Sequence, residues 1–279
     1  MNPISPELKQ TILEAKEQGK KRFEICTEFG IDYDTINIVL GLGSTNIIKK
    51  NMFHQRCQYT FKWVKYRHTA IHDDQSRILH QYLTKIAKSQ YPKEHFNNNN
   101  VQRISQFRLN RLKRGKVAEI GKTLIREGHI TETLSIHKLT KIAKHLFAEH
   151  VNAQKRKPSH DDIQTRILEE DQHAIAMEVP VWGEPPVTPE VVTGHIDLLR
   201  IIDDTLYVVD YKPENRFMPS VPQVAFYGLL LQKNLNLKEI KCASFSNTKI
   251  WEFQPDILNT IQEILLEHNI NFFNWQRYI

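Results

Sequence analysis

Two strand-like segments joined by only two residues constrain the fold of this chain most strongly. Residues 191–202 and 205–212 are rich in branched and aromatic side chains, and two aspartates stand between them. This spacing predicts an antiparallel hairpin with a tight turn. If the residues that flank the turn face each other, Asp197 lies directly opposite Asp210. Because like charges in facing positions destabilise a sheet, the hairpin predicts a cation or a proton between two carboxylates.

Lys212 follows Asp210 by two positions, so the strand period places both side chains on one face. Two hard oxygen ligands suit Mg²⁺ or Mn²⁺ better than a soft metal. A lysine beside them could position an attacking water or stabilise negative charge on phosphorus. The alternative is a surface hairpin whose Asp-x-Lys forms an ordinary ion pair.

The pattern around the hairpin predicts a mixed α/β fold. One further strand precedes the hairpin at residues 173–182. The other predicted elements are helices at 101–127, 134–154, about 159–170, 222–233 and 255–267, and strands at 240–245 and 249–253. The central order is helix, three strands, helix, strand.

The first forty residues indicate three short helices, at about 5–18, 21–29 and 32–40. Their spacing resembles a helix-turn-helix, although a plain helical bundle fits equally well. We therefore expect a helical, nucleic-acid-binding region over residues 1–96. The asparagine run at 97–100 is interpreted as a linker, and residues 101–279 as the second domain.

Two stretches without acidic residues, 49–68 and 101–116, favour a nucleic-acid surface. The first also carries aromatic side chains that could stack on bases. The alternative is a solvated helix face whose aromatic residues turn into the core. The predicted DNA contacts from these stretches are Lys62, Lys65, Arg67, Arg111 and Arg114.

Three short motifs together resemble the signature of the PD-(D/E)XK nuclease superfamily, and of its RecB-like branch in particular. They are a Gly-His-Ile-Asp run that ends at Asp197, an Asp-Tyr-Lys-Pro run that starts at Asp210, and Gln223 with Tyr227 on the next helix. The resemblance implies a restriction-endonuclease-like core with a mixed central sheet flanked by helices. It also implies that Asp197 and Asp210 bind the metal, that Lys212 is catalytic, and that Gln223 and Tyr227 orient the DNA strand.

The same resemblance implies an acidic or histidine ligand on the first core helix. Residues 115–119 look like the Gly-x-x-x-Glu start of junction-resolving relatives, which assigns this role to Glu119. The alternatives for this ligand are Glu149, Glu169, Glu170 and Glu178.

Composition limits the cofactors and the compartment. The three cysteines are far apart, so we expect neither disulfides nor the iron–sulfur cluster common in RecB-like exonucleases. A Gly-x-x-x-x-Gly-Lys-Ser/Thr phosphate-binding loop is missing, so ATP use is not expected. No apolar segment suggests export or a membrane span, and a cytoplasmic protein is expected. The net charge of +6 permits a DNA partner.

The sequence thus predicts a DNA nuclease that depends on Mg²⁺ or Mn²⁺ and acts in repair, recombination or mobile-element processing. One alternative is a Holliday-junction-type resolvase, which would act as a homodimer. The other is a DNA-binding protein that keeps the fold without the chemistry.

Overall fold

The computed structural model describes residues 4–20, 22–31, 35–36, 39–40, 47–65, 67–71, 73–134, 137–154 and 156–279. Over these residues the chain has a mixed α/β fold in which helices flank a large mixed sheet. The helices are α1 (Pro6–Glu17), α2 (Arg22–Phe29), α3 (Asp73–Ala87), α4 (Lys93–Phe96), α5 (Arg114–Arg126), α6 (Lys138–Gln154), α7 (His160–Glu170), α8 (Val221–Leu235) and α9 (Ile257–Glu267). The strands are β1 (Ile47–His54), β2 (Cys57–Val64), β3 (Gln102–Arg103), β4 (Thr131–Leu134), β5 (Ala174–Gly183), β6 (Val192–Ile202), β7 (Thr205–Tyr211), β8 (Lys241–Phe245) and β9 (Lys249–Phe253).

The described strands form one sheet in the order β1-β2-β5-β6-β7-β8-β9-β4, and the short β3 pairs in parallel with the start of β6. Strands β5, β6 and β7 form an antiparallel meander, whereas β7 and β8 are parallel and are connected through α8. The order α7, β5, β6, β7, α8, β8 matches the predicted core of helix, three strands, helix and strand.

The predicted register of the β6–β7 hairpin is confirmed. Ile202 pairs with Thr205, and the pairing continues to Leu198 and Val209. Asp203 and Asp204 form the turn with φ of 45° and 66°. Positive φ at both central positions is the property of type I′ turns, whose twist matches that of the strands.

The sheet is buried on both faces, so each face has its own hydrophobic core. One face packs against α3, α5, α8 and α9, and the other against α6 and α7. This burial explains why β5, β6 and β7 read as nearly continuous apolar runs in the sequence. Polar side chains in the middle of these strands are therefore exceptions that require a reason.

The N-terminal part of the chain only partly follows the prediction. Helix α1 begins after Ser5, whose hydroxyl accepts from the Leu8 amide, and α2 follows as predicted. The third predicted helix, at 32–40, falls partly outside the described residues. The expectation that residues 1–96 are all helical needs a correction, because β1 and β2 form a hairpin that joins the sheet through β5. Phe61 and Trp63 of β2 are fully buried, which places this hairpin inside the main core.

The asparagine run at 97–100 is a turn within this unit. Phe96, just before it, is fully buried against the rings of His54 and His195, and β3, just after it, pairs with β6. Both ends of the run are thus attached to the same sheet, so it does not separate two domains. The helix predicted over 101–127 is also shorter, because only α5 is α-helical there.

Every helix in the described ranges is too short or too polar to cross a lipid bilayer.

Candidate active site

Three neighbouring strands place three carboxylates in one row across the sheet. The β5–β6 register sets Glu178 opposite Asp197. The β6–β7 register, continued by one step, sets Asp197 opposite Asp210. The backbone N–H of Tyr211 donates to Oδ2 of Asp197 at 3.5 Å. We call Glu178, Asp197 and Asp210 the carboxylate row.

The strands are irregular where they carry this row. Met177 and Val179 flank Glu178 but pack in the cores on opposite faces, and Ile196 and Leu198 do the same around Asp197. Residues two apart in a regular strand share one face, so both strands interrupt their alternation at the carboxylate. Glu178 also has φ of 51°, a conformation that is rare outside glycine. Such strain persists only where the surrounding fold enforces it, and it is frequent at functional sites.

Burial and mutual repulsion shift the pKa values of the carboxylate row. Burial, followed by the charge of Asp197, raises the pKa of Glu178 to about 8. Burial also raises the pKa of Asp210 to about 7; Lys212 opposes this rise and Asp197 adds to it. At Asp197 burial acts in the same sense, but His160 and Lys212 outweigh it and hold the pKa below its ordinary value. The row therefore resists full ionisation unless more positive charge is present.

Lys212 supplies part of that charge. Its Nζ lies 2.7 Å from Oδ2 of Asp210, whose side chain is only 3% exposed. That oxygen makes no well-oriented hydrogen bond with any described residue. The pair is therefore not the exposed surface ion pair that the sequence alone allowed. A buried carboxylate oxygen without a hydrogen bond is also a suitable position for a bound cation.

His160 lies beside Asp197 at this site, although no metal-like spacing in the sequence selects it. It is the first residue of α7, and its Nδ1 lies 3.9 Å from Oδ2 of Asp197. Its ring packs edge to face on Tyr211, with 5.3 Å between the centroids. Ser159 and Asp162 form a capping box that fixes the start of the helix. The available signal was position: α7 is the helix directly before the first core strand.

Glu119 makes its contacts away from the carboxylate row. It is 64% exposed on α5, and its carboxylate pairs with Lys116 at 3.2 Å. Among the alternatives, Glu149 and Glu170 pair with Arg166 on the outer side of α7. The structure thus brings Glu178 and His160, and not Glu119, into electrostatic contact with Asp197. The role of Glu119 as a ligand stays a prediction without structural support.

The helix that follows the hairpin brings Gln223 and Tyr227 to the site. The Gln223 amide donates to the Tyr227 hydroxyl at 3.2 Å, and both side chains are buried. Burial raises the pKa of Tyr227 far above its ordinary value, and the carboxylate row contributes to the rise. The two residues therefore form one unit beside the row.

Two of the predicted DNA contacts are used inside the protein. The Arg67 guanidinium is buried and donates to the carbonyl oxygens of Leu168, Asp171 and Ala174. Lys62 is also buried. Its Nζ donates to Thr165 and pairs with Asp161, both on α7.

These contacts join β2 and the segment after it to α7, so in this conformation neither cation is available to phosphate. Lys65 is half-buried, whereas Arg111 and Arg114 are exposed at or near the start of α5. Of the cations predicted to bind DNA, Arg111 and Arg114 are thus the two with exposed side chains.

The residues present fit a hard divalent cation. In the part of the chain that the structure describes, no three His, Cys, Asp or Glu side chains already stand in a complete metal-binding arrangement. However, facing carboxylates with an oxygen that lacks a hydrogen bond form the donor set that Mg²⁺ and Mn²⁺ prefer, with water completing the shell. Asp197 and Asp210 would hold such an ion, and Glu178 and His160 lie where they can support it.

The sequence model of the PD-(D/E)XK nuclease superfamily matches residues 54–263, which is more than half of the chain. The chain therefore belongs to the PD-(D/E)XK nuclease superfamily. The match begins within β1, which agrees with the inclusion of the first hairpin in the sheet. No curated protein sequence matches the chain. A solved structure titled "Crystal structure of SSO0001" is similar at 14% identity and a TM-score of 0.31, covering 71% of this chain and 88% of its own.

Proposed function

We propose that this chain is a metal-dependent DNA nuclease that hydrolyses phosphodiester bonds, of the RecB-like type. The observation that carries the proposal is the buried carboxylate row with Lys212 2.7 Å from Asp210. An apolar strand gains nothing structural from three facing acids, and their cost is offset by a proton or by a cation held among them.

Asp197 and Asp210 would hold Mg²⁺ or Mn²⁺, with Glu178 or His160 as a further ligand. The bound ion lowers the pKa of a coordinated water and stabilises negative charge on phosphorus. Lys212 Nζ lies 2.7 Å from Oδ2 of Asp210, so its ammonium stands beside the carboxylates, where it would orient the attacking water or neutralise a phosphate oxygen. His160 holds Asp197 in the ionised form that a ligand needs.

Gln223 and Tyr227 support the RecB-like assignment because they are hydrogen-bonded to each other and lie beside the carboxylate row. His160 supports it as well, since it supplies a histidine on the first core helix. A role in repair, recombination or mobile-element processing follows from this type of nuclease. The helix-turn-helix in the first forty residues stays a prediction.

The test is cleavage of end-labelled linear, closed circular and four-way DNA by the wild type and by Lys212→Ala, each with Mn²⁺ and with EDTA. We expect wild-type cleavage only with Mn²⁺ and a loss of at least about a hundredfold in Lys212→Ala, as for removal of a group that stabilises charge at the reacting atoms. Lys238→Ala is the matched control because Lys238 is exposed and lies outside the three motifs. It should cleave like the wild type.

The substrates also separate the alternatives. Cutting of the closed circle establishes endonuclease activity, and a strong preference for four-way DNA by a dimer favours the resolvase. If DNA is bound but no substrate is cut with Mn²⁺, the protein is the non-catalytic DNA-binding alternative and the nuclease proposal is wrong.

A further inference from the structure

Arg108 is connected to the candidate active site by a chain of two hydrogen bonds. Its Nε donates to Oε1 of Gln223 at 3.3 Å. Nε2 of Gln223 then donates to the hydroxyl of Tyr227 at 3.2 Å. Gln223 is 5% exposed and Tyr227 is 2% exposed, whereas Arg108 is exposed. This chain of hydrogen bonds therefore connects the protein surface to a buried tyrosine.

The inner end of this chain is fixed against the strand that carries Asp197. A Cβ built on Gly194 would clash with Cε1 of the Tyr227 ring and would lie 3.3 Å from Cβ of Ile104. Only glycine leaves room for the ring at this point of β6. Tyr227 lies close enough to the carboxylate row for Asp197 to affect its pKa. Arg108 is thus held at a defined place relative to the metal-binding carboxylates.

The Arg108 guanidinium, at the outer end of these hydrogen bonds, has donors left to bind a ligand. Within the described residues the Arg108 side chain makes a single hydrogen bond, through Nε, so neither Nη group is engaged by a hydrogen bond there. These two groups form the planar fork that binds phosphate oxygens in pairs. The stretch 101–116 around Arg108 has no acidic residue that could occupy the fork.

We propose that Arg108 binds a backbone phosphate of the DNA strand that lies in the active site. Gln223 orients the guanidinium, and Tyr227 ties this orientation to β6. The residue thereby sets the position of the strand relative to the carboxylate row. This inference rests on the proposed nuclease function, because it assigns the strand-positioning contact of that same site.

The test compares Arg108→Gln with Arg126→Gln. Both changes remove one positive charge, but Arg126 lies at the end of α5 and pairs with the neighbouring Glu127. The probe is a fluorescent 20-nucleotide single strand, and separately its duplex, bound in Ca²⁺ in place of Mn²⁺ over a series of NaCl concentrations. We expect Arg108→Gln to weaken binding about tenfold and to lower the salt slope by about 0.7–0.9, as for one lost phosphate contact. Arg126→Gln should stay within about twofold of the wild type with an unchanged slope.

Arg108→Lys separates charge from geometry. A lysine restores most of the salt slope but cannot form the fork or the Nε bond to Gln223, so kcat/KM with Mn²⁺ should remain reduced about tenfold. Gln223→Ala should weaken binding in the wild type and have little further effect in Arg108→Gln. A purely structural role would lower stability to urea and leave the salt slope unchanged.

Equal binding and equal salt slopes for Arg108→Gln and Arg126→Gln would overturn the inference. Because the binding measurement uses no cleavage, it also stands if the nuclease proposal fails. A wild type that never cuts DNA contradicts the proposed function, whereas wild-type cleavage without an Arg108 effect contradicts this inference alone.

Discussion

The carboxylate row buries acidic side chains in the sheet, and this burial lowers the stability of the metal-free protein at neutral pH. Asp210 is 2% exposed, and its raised pKa means that the folded protein holds a proton that the unfolded chain releases. For an acid shifted upward, the folded state loses stability as the pH rises from the ordinary value of 3.8 through about 7. A cation that binds between the carboxylates should reverse this loss.

We predict that Asp210→Asn flattens the pH dependence of stability in metal-free protein. In EDTA, the wild type should lose about 1–3 kcal/mol more free energy of unfolding than the variant between pH 5 and pH 8, since each pKa unit corresponds to roughly 1.4 kcal/mol. Urea unfolding at both pH values measures this. Asp203→Asn, at the exposed turn of the same hairpin, is the control and should follow the wild type. Added Mn²⁺ should stabilise the wild type and Asp203→Asn but not Asp210→Asn; the opposite order would contradict metal binding at Asp210.

At the scale of elements, buried cations join the first hairpin to the core helix α7. Arg67 donates to three carbonyl oxygens between the end of α7 and the start of β5. Lys62 contacts two side chains in the first half of α7. The helix that carries His160 is therefore held at both ends from the β2 side. In the sequence these same cations had indicated a DNA-binding surface.

Arg67→Met should destabilise the protein without changing its intrinsic affinity for DNA. The change leaves three carbonyl groups without their charged donor, and hydrogen bonds of this kind contribute about 1.5–3 kcal/mol each, so we expect a loss of at least about 3 kcal/mol. Urea unfolding measures the loss, and DNA binding at low temperature, where the variant is folded, measures affinity. Arg126→Met is the exposed control and should stay within about 0.5 kcal/mol. A variant that is as stable as the wild type but binds DNA poorly would restore Arg67 as a DNA contact.

At the scale of the whole molecule, the sheet and the family match begin near residue 50, whereas α1 and α2 form a small hydrophobic cluster of their own. Within the described residues this cluster contains Ile12, Ile25 and Ile36, and all of its members lie at or before position 40. Residues 1–46 carry seven acidic and five basic side chains, so they add no net positive charge. The excess positive charge of the protein therefore lies with the nuclease fold itself.

We predict that the truncated chain 47–279 unfolds cooperatively and keeps its non-specific DNA affinity within about threefold at moderate salt, because the phosphate contacts are retained. Truncation to 65–279 should abolish cooperative unfolding, since it removes the buried Phe61 and Trp63. Circular dichroism with urea and DNA titrations check both chains. A large loss of affinity in 47–279 would instead support the helix-turn-helix interpretation of the first forty residues.

The sequence by itself determined the features that depend on neighbours along the chain. The turn at Asp203 and Asp204 fixed the register of β6 and β7, and with it the approach of Asp197 to Asp210. The capping residue Ser159, the strands from β5 to β9 and the helices α8 and α9 also follow from local periodicity and turn chemistry. The three family motifs lie in this part, which is why they could be read directly.

Only the tertiary structure decided which distant residues lie beside Asp197. Glu178 and His160 reach Asp197 through strand pairing and helix docking, and neither has a local pattern that distinguishes it from a surface acid or histidine. Arg67 and Lys62 have the same sequence signal whether they are exposed or buried. Only the fold shows that they are buried and bind other parts of the protein. The β1–β2 hairpin is not predicted for the same reason: its apolar side chains pack in a core that includes β5, which pairs with β2 from more than a hundred residues later in the chain. Contacts at such separation depend on the whole fold, and a single sequence carries no periodic signal for them.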